Sequence, residues 1–221
     1  MRTLHIANKN YSSWSLRPWV LMRELGIAFD ERLTPFGSDF AFSPTGRVPC
    51  LVDDGTAVWD SLAIVEYLAE LEPRVWPADR IARAWARSAA AEMHAGFGQL
   101  RNICTMSCGL RVRIAPWPPA LLKEIARIDA LWNEGLARFG GPFLAGAAFT
   151  AVDAFFAPVA FRVQTYAPAL SDSAHRYVER LLALPAMREW YEAALAETWR
   201  DQAHEDEARA AGAWVEDLRH G

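Results

Sequence analysis

Between residues 48 and 61 the chain reads Val48-Pro49-Cys50-Leu51-Val52-Asp53-Asp54-Gly55-Thr56-Ala57-Val58-Trp59-Asp60-Ser61. Val48 to Val52 is a short apolar run led by a proline, the composition of a strand with a proline near its start. Asp54-Gly55 is a strong hairpin signal, because a two-residue turn of this kind needs positive φ at both positions. Ala57-Val58-Trp59 is the returning strand. Asp60-Ser61 then caps a helix whose apolar residues Ile64, Val65, Leu68 and Leu71 recur at helical spacing.

Upstream of this hairpin, Leu4-His5-Ile6-Ala7 alternates as a short strand does. Asn8 to Ser13 is polar and turn-rich. Ser15 is the expected N-cap of the next helix, with Pro18 in its first turn, where a missing N–H costs little. Trp19, Val20, Leu21 and Leu25 continue it, and Gly26 is placed to end it. Ala28 to Leu33 reads as a second strand. Thr34 to Arg47 carries Pro35, Gly37, Pro44 and Gly46 and reads as a loop with at most a short helix.

Downstream, Glu72 to Ala78 contains Pro73 and Pro77 and reads as a linker. After it strand signals almost vanish. Ile81 to Leu110, Ala120 to Phe139, Thr150 to Tyr166, Ser173 to Leu184 and Pro185 to Thr198 follow helical patterns, with an adjustment at Pro158. The charged tail from Asp201 reads as a loose helix. The expected architecture is a small α/β domain over 1–72, a linker over 73–78 and an all-α helical domain over 79–221.

The 221 residues are 52% hydrophobic and 23% charged, enough apolar content to bury a sizeable core without disulfides or metal. The net charge of −4 argues against a general nucleic-acid binder, which wants a clustered basic face. Three cysteines, Cys50, Cys104 and Cys108, make no disulfide framework and no C-x-x-C, so a reduced, cytoplasmic compartment is expected. A strand beginning near Thr3 leaves no room for a signal peptide. The longest strongly apolar run, Ala154 to Phe161, is about a third of a membrane span, so no membrane partner is expected. The five histidines show no metal spacing, and no metal is expected.

Four features bear on chemistry. The first is Tyr11-Ser12-Ser13-Trp14-Ser15 at a strand-to-helix turn, where hydroxyls, free N–H groups and the helix dipole together favour an anion. A thiolate bound there would have its pKa lowered from about 8.5, each unit being worth about 1.4 kcal/mol. Plain capping by Ser15 is the alternative. The second is Val48-Pro49; a cis bond there would turn the Val48 backbone toward a peptide ligand, whereas a trans bond would leave an ordinary edge residue. The third is Asp60-Ser61 at a helix start, a place for a ligand's carboxylate and ammonium or a simple N-cap. The fourth is Thr150-Ala151-Val152-Asp153, a capping box with Asp in place of Glu, which is structural.

These residues, in this order and with Ser43-Pro44-Thr45-Gly46-Arg47 before Val48-Pro49, resemble the glutathione S-transferase family over Leu4 to about Thr198. The resemblance implies a thioredoxin-like domain followed by a helical domain, a detoxifying transferase with glutathione as cosubstrate, a small electrophile held between the domains, and a homodimer. It implies a cis bond before Pro49, Val48 pairing its backbone with the cysteinyl part of glutathione, and Ser61 and Asp60 receiving the γ-glutamyl end; Arg47 is placed either to reach a glutathione carboxylate or to be solvated. The serine segment is similar to zeta- and theta-like members. Ser13 stands where theta-like enzymes have their activating serine and Ser12 matches the first zeta serine, with Trp14 in place of the zeta cysteine. Tyr11 is a rival, since other classes use tyrosine. Arg17 is expected in a salt bridge, and Cys104 and Cys108 are expected on one face of the long helix. A glutathione-dependent isomerase or dehalogenase, or a non-catalytic binding protein, is compatible with the same scaffold.

Overall fold

The strand, helix and hairpin order of the first seventy residues is realised in the computed structural model, which describes residues 1–220. β1 (Arg2–Ile6), β2 (Asp30–Leu33), β3 (Cys50–Asp53) and β4 (Thr56–Trp59) form one sheet in the order β2-β1-β3-β4. β1 runs parallel to β2 and antiparallel to β3, with Leu4 opposite Leu51. Leu4, Ile6 and Leu51 are fully buried, so the alternating apolar face of the sheet meets the helices α1 (Ser13–Leu25) and α2 (Ser61–Ala69). Asp54 and Gly55 both take positive φ, 46° and 84°, as the hairpin turn requires. Gly26 ends α1 at φ 68°, and the Gly26 and Ile27 N–H groups close back on Arg23 and Met22.

Three expectations about this domain shift. α1 begins at Ser13, so Ser12 holds the N-cap position and Ser15 lies inside the first turn. The strand read over 48–52 starts at Cys50, and the one read over 28–33 starts at Asp30. Pro73–Val75 in the linker form a short 3₁₀ turn.

The second domain is helical but not wholly so. The helix expected over 81–110 is broken into α3 (Arg80–Ala95) and α4 (Gly98–Ile103). Phe97 between them is left-handed at φ 57°, which turns the chain there. A side chain on Gly96 would meet the Glu92 carbonyl oxygen at 2.8 Å. Past α4 the chain forms β5 (Leu110–Arg113). The helices α5 (Pro119–Phe139), α6 (Ala151–Tyr166), α7 (Asp172–Leu182), α8 (Pro185–Ala196) and α9 (Gln202–Ala211) follow, and β6 (Ala213–Asp217) pairs antiparallel with β5. The tail is therefore an ordered helix and strand folded back on the domain.

α6 is buried on nearly every face and packs against α1, α3 and α7, which makes it the post joining the two domains. Its start is fixed by the buried Asp153. That carboxylate accepts the Leu144 and Thr150 N–H groups, each at 3.0 Å, and the Tyr177 hydroxyl at 2.9 Å.

Candidate active site

The loop after β1 is set by residues far along the chain. The Glu197 carboxylate accepts the Lys9 N–H at 2.6 Å and the Asn10 N–H at 3.2 Å. The Trp190 indole donates to the Lys9 carbonyl at 2.8 Å, and the Cys108 N–H donates to the Asn10 carbonyl at 3.2 Å. The helical domain thus fixes where the serines of the first domain stand. Sequence reasoning missed Glu197 and Trp190, because nothing local marks a residue whose partners lie about 180 positions away.

Ser12, Ser13 and Ser15 share the helix start but differ in hydrogen bonding. The Ser12 hydroxyl donates to Ser15 Oγ at 2.7 Å. The Ser13 hydroxyl accepts from Arg162 Nη2 at 3.4 Å and has no acceptor of its own among the described residues. Ser13 therefore retains a proton to donate, beside the unengaged Trp14 and Ser15 N–H groups of the first turn. Tyr11 does not. Its hydroxyl donates to Glu205 Oε1 at 2.7 Å, and its pKa is pushed up to about 12, first by burial and then by that carboxylate.

The second cluster lies where the 48–61 segment meets α2. The Val48–Pro49 bond is cis. Asp60 takes φ 73°, a conformation costing a non-glycine residue about 1–3 kcal/mol and found most often at functional positions. Its carboxylate accepts the Leu62 N–H at 2.8 Å, and His94 Nε2 lies 3.5 Å away. The Ser61 hydroxyl is buried and has no partner among the described residues. A buried hydroxyl left unsatisfied is free to pair with a bound group or a water.

Two adjoining clefts collect these residues. One, of about 460 Å³, is lined by Ser12, Ser13, Arg101, Arg162, Phe36 and His204, among others. The other, of about 670 Å³, is lined by Pro49, Trp59, Asp60 and Ser61. Trp14, Arg47 and Val48 are walls of both. The fold therefore brings Ser12, Ser13, Arg47, Val48, Pro49, Asp60 and Ser61 to one continuous surface.

Two other expectations are corrected. Arg17 makes no salt bridge among the described residues. It is 1% exposed, with its guanidinium stacked 4.1 Å from the Trp14 ring and 4.9 Å from Phe155, and its Nε and Nη1 lack partners. Burial and the neighbouring Arg162 and Arg101 charges pull its pKa well down. Cys104 and Cys108 do not share a helix face, because α4 ends before them at Ile103. Both are buried, and burial pushes Cys104 up to about 12 and Cys108 higher, which leaves them inert as thiolates.

The chain matches the glutathione S-transferase N-terminal domain model over residues 11–71 and the C-terminal domain model over 81–193. It is 41% identical over 63 residues to a probable maleylacetoacetate isomerase of Caenorhabditis elegans, covering 28% of this chain and 29% of that one. It is 34% identical over 102 residues to the glutathione S-transferase GstA of Escherichia coli O157:H7, covering 39% of this chain and 51% of that one. The chain thus matches about half or less of these curated relatives. Among solved structures, a glutathione transferase homolog from Burkholderia gl BGR1 with bound glutathione superposes with a TM-score of 0.69 at 26% identity. That alignment covers 87% of this chain and 97% of the other.

Proposed function

We propose that this chain, which belongs to the glutathione S-transferase family, binds glutathione across the two clefts and conjugates it to small electrophiles, with Ser13 activating the thiol. The observation that carries this reading is the hydrogen-bond state of the serine loop. Ser13 is the residue whose proton is uncommitted, since Ser12 has given its own to Ser15 and Tyr11 has given its own to Glu205. A hydroxyl donating to sulfur, with the first-turn N–H groups of α1 beside it, favours thiolate over thiol. The attacking atom belongs to the cosubstrate, so the protein supplies orientation and a stabilised nucleophile.

In this reading the γ-glutamyl end occupies the cleft of Asp60 and Ser61. The unpartnered Ser61 hydroxyl receives its carboxylate, and Asp60 receives its ammonium. The Val48 backbone pairs with the cysteinyl part and Arg47 reaches a carboxylate. The electrophile enters on the side of Phe36, Arg101 and His204. The protein is cytoplasmic, a reading supported by its free cysteines. It pairs as a homodimer, a reading supported by exposed apolar side chains at Leu71, just past α2, and at Ile81 in α3.

Ultraviolet titration of the bound thiol tests the mechanism. Ser13→Ala is expected to raise its apparent pKa by about one to two units, with Ser12→Ala moving it less. An unchanged pKa in Ser13→Ala removes the assignment. The match to a probable maleylacetoacetate isomerase favours a second reading, glutathione-dependent isomerisation. Product analysis separates the two, since isomerisation returns free glutathione and conjugation consumes it.

A further inference from the structure

Arg101 and Arg162, both from the helical domain, line the cleft beside Ser13 and take no part in lining the cleft of Asp60 and Ser61. All their protein acceptors are neutral. Arg101 Nη1 donates to the His94 carbonyl at 2.9 Å. Arg162 donates through Nε to the Cys104 carbonyl at 2.7 Å, through Nη1 to the Pro158 carbonyl at 3.2 Å and through Nη2 to Ser13. Neither forms an ion pair with a carboxylate among the described residues. Arg162 is 4% exposed, and Arg17, buried just behind Trp14, adds a third guanidinium without an ion pair among the described residues.

Buried cations without counter-ions are costly, and fold stability gives no reason to bury Arg17 and Arg162 near one another with the half-buried Arg101 beside them. The carboxylates nearby do not balance them. Glu205 is committed to Arg219, Asp60 lines the other cleft and acts on Arg17 from there, and Glu207 lines this cleft but is exposed and pairs with neither Arg101 nor Arg162 among the described residues. Arg47 borders both clefts and is accounted for by glutathione in the reading above. Arg101 and Arg162 are left for the second substrate. The same cleft offers Phe36, Phe40 and His204 as an apolar and aromatic wall.

We propose that the electrophile carries a carboxylate, received by Arg101 and Arg162, which turns its reactive carbon toward the sulfur beside Ser13. The proposal rests on the glutathione reading. The planar donor fork of an arginine fits a two-oxygen anion. The two positive charges also offset the repulsion between a thiolate and an anionic partner, a problem a neutral electrophile does not pose. With a chloro-nitro-benzoate as electrophile the step is simple substitution. The sulfur lone pair forms the C–S bond at the chlorine-bearing carbon, chloride leaves with the bonding pair, and the thiol proton has already gone to solvent.

The test compares two synthetic conjugates by calorimetry, glutathione joined through sulfur to a nitrobenzoate and to the matching nitrobenzamide. They differ only in the charge of the acyl group. The carboxylate conjugate is expected to bind about tenfold tighter, and Arg101→Gln and Arg162→Gln each to bring that ratio close to one. Arg101→Lys is expected to keep part of it, since it keeps the charge and loses the fork. The ratio is taken within one preparation, so a partly unfolded variant does not disturb it, and Arg101→Gln decides the matter if Arg162→Gln fails to fold. Equal binding of the two conjugates by the native protein overturns the inference, as does failure to bind either while free glutathione binds, or a ratio unmoved by either substitution. Failure to bind glutathione itself would instead overturn the reading beneath it.

Discussion

The hydroxyl of Tyr11 donates to the carboxylate of Glu205 at 2.7 Å, joining the loop after β1 to α9 across 194 positions of sequence. Arg219, just past β6, completes the cluster by pairing with Glu205 and Asp217 and by donating to the Tyr11 oxygen at 3.2 Å. The C-terminal segment therefore acts as a clasp on the loop that carries the serines. Tyr11→Phe removes one donor from Glu205 while Arg219 remains. Chemical denaturation should show a loss of about 1 kcal/mol, and the thiol pKa of bound glutathione should stay where the native protein has it. A thiol pKa that rises in Tyr11→Phe would return the activating role to the tyrosine.

The clasp also gives stability a pH dependence of definite sign. Burial alone would raise the Glu205 carboxyl, but the Arg219 and Tyr11 bonds outweigh it and hold it below its ordinary value. Arg219 holds Asp217 low as well. Carboxyls lower in the folded than in the unfolded chain add stability that is fully present above the ordinary carboxylate range, about 4, and is lost as pH falls through the lowered values. Arg219→Gln should therefore cost stability at pH 7, and the gap to the native protein should narrow on acidification below about pH 4. A gap that is constant across this range would show that the pair contributes nothing through ionisation.

What the sequence reveals here is what is local. The Asp54-Gly55 turn, the Gly26 stop and the Thr150–Asp153 box each carry their signal within a few residues, and each appears as read. The alternation Leu110-Arg111-Val112-Arg113, at the end of the helical pattern over 81–110, is too short to mark a strand by itself, and its partner strand lies about a hundred residues on. Gly96 and Gly98 around Phe97 are the signal that could have divided α3 from α4. Arg17 illustrates a different limit. An arginine on a first helix turn suggests a surface ion pair, and its burial between Trp14 and Phe155 depends on α6 lying across α1. The serine loop, Val48-Pro49 and Asp60-Ser61 are legible as motifs, while Phe36, Arg101, Arg162 and His204 reach the cleft from segments whose facing only the fold reveals.

Asp153 is the single carboxylate on which the start of α6 depends. Removing it by Asp153→Ala leaves the Leu144 N–H, the Thr150 N–H and the Tyr177 hydroxyl without their acceptor in a fully buried setting. Each orphaned donor costs about 1–3 kcal/mol, so the variant should lose about 3 kcal/mol or more, or fail to accumulate as folded protein. Asp153→Asn keeps one acceptor oxygen and should fall between. Denaturation midpoints of the three proteins in any other order would contradict the account.

Glu197 is the most direct mechanical link between the helical domain and the serine loop. Its two oxygens accept from consecutive amides, Lys9 at 2.6 Å and Asn10 at 3.2 Å. An amide in its place turns one acceptor into a donor facing an N–H. Glu197→Gln should therefore lose at least one of these bonds, at about 1–2 kcal/mol, without changing the size of the side chain. The loss falls on the segment immediately before Ser12 and Ser13, so it should appear locally. Hydrogen exchange at the Lys9 and Asn10 amides should quicken more than in the sheet, and the thiol pKa of bound glutathione should rise by a fraction of the Ser13→Ala shift. Exchange at those amides unchanged while global stability falls would show that Glu197 serves the helical domain alone and does not hold the loop.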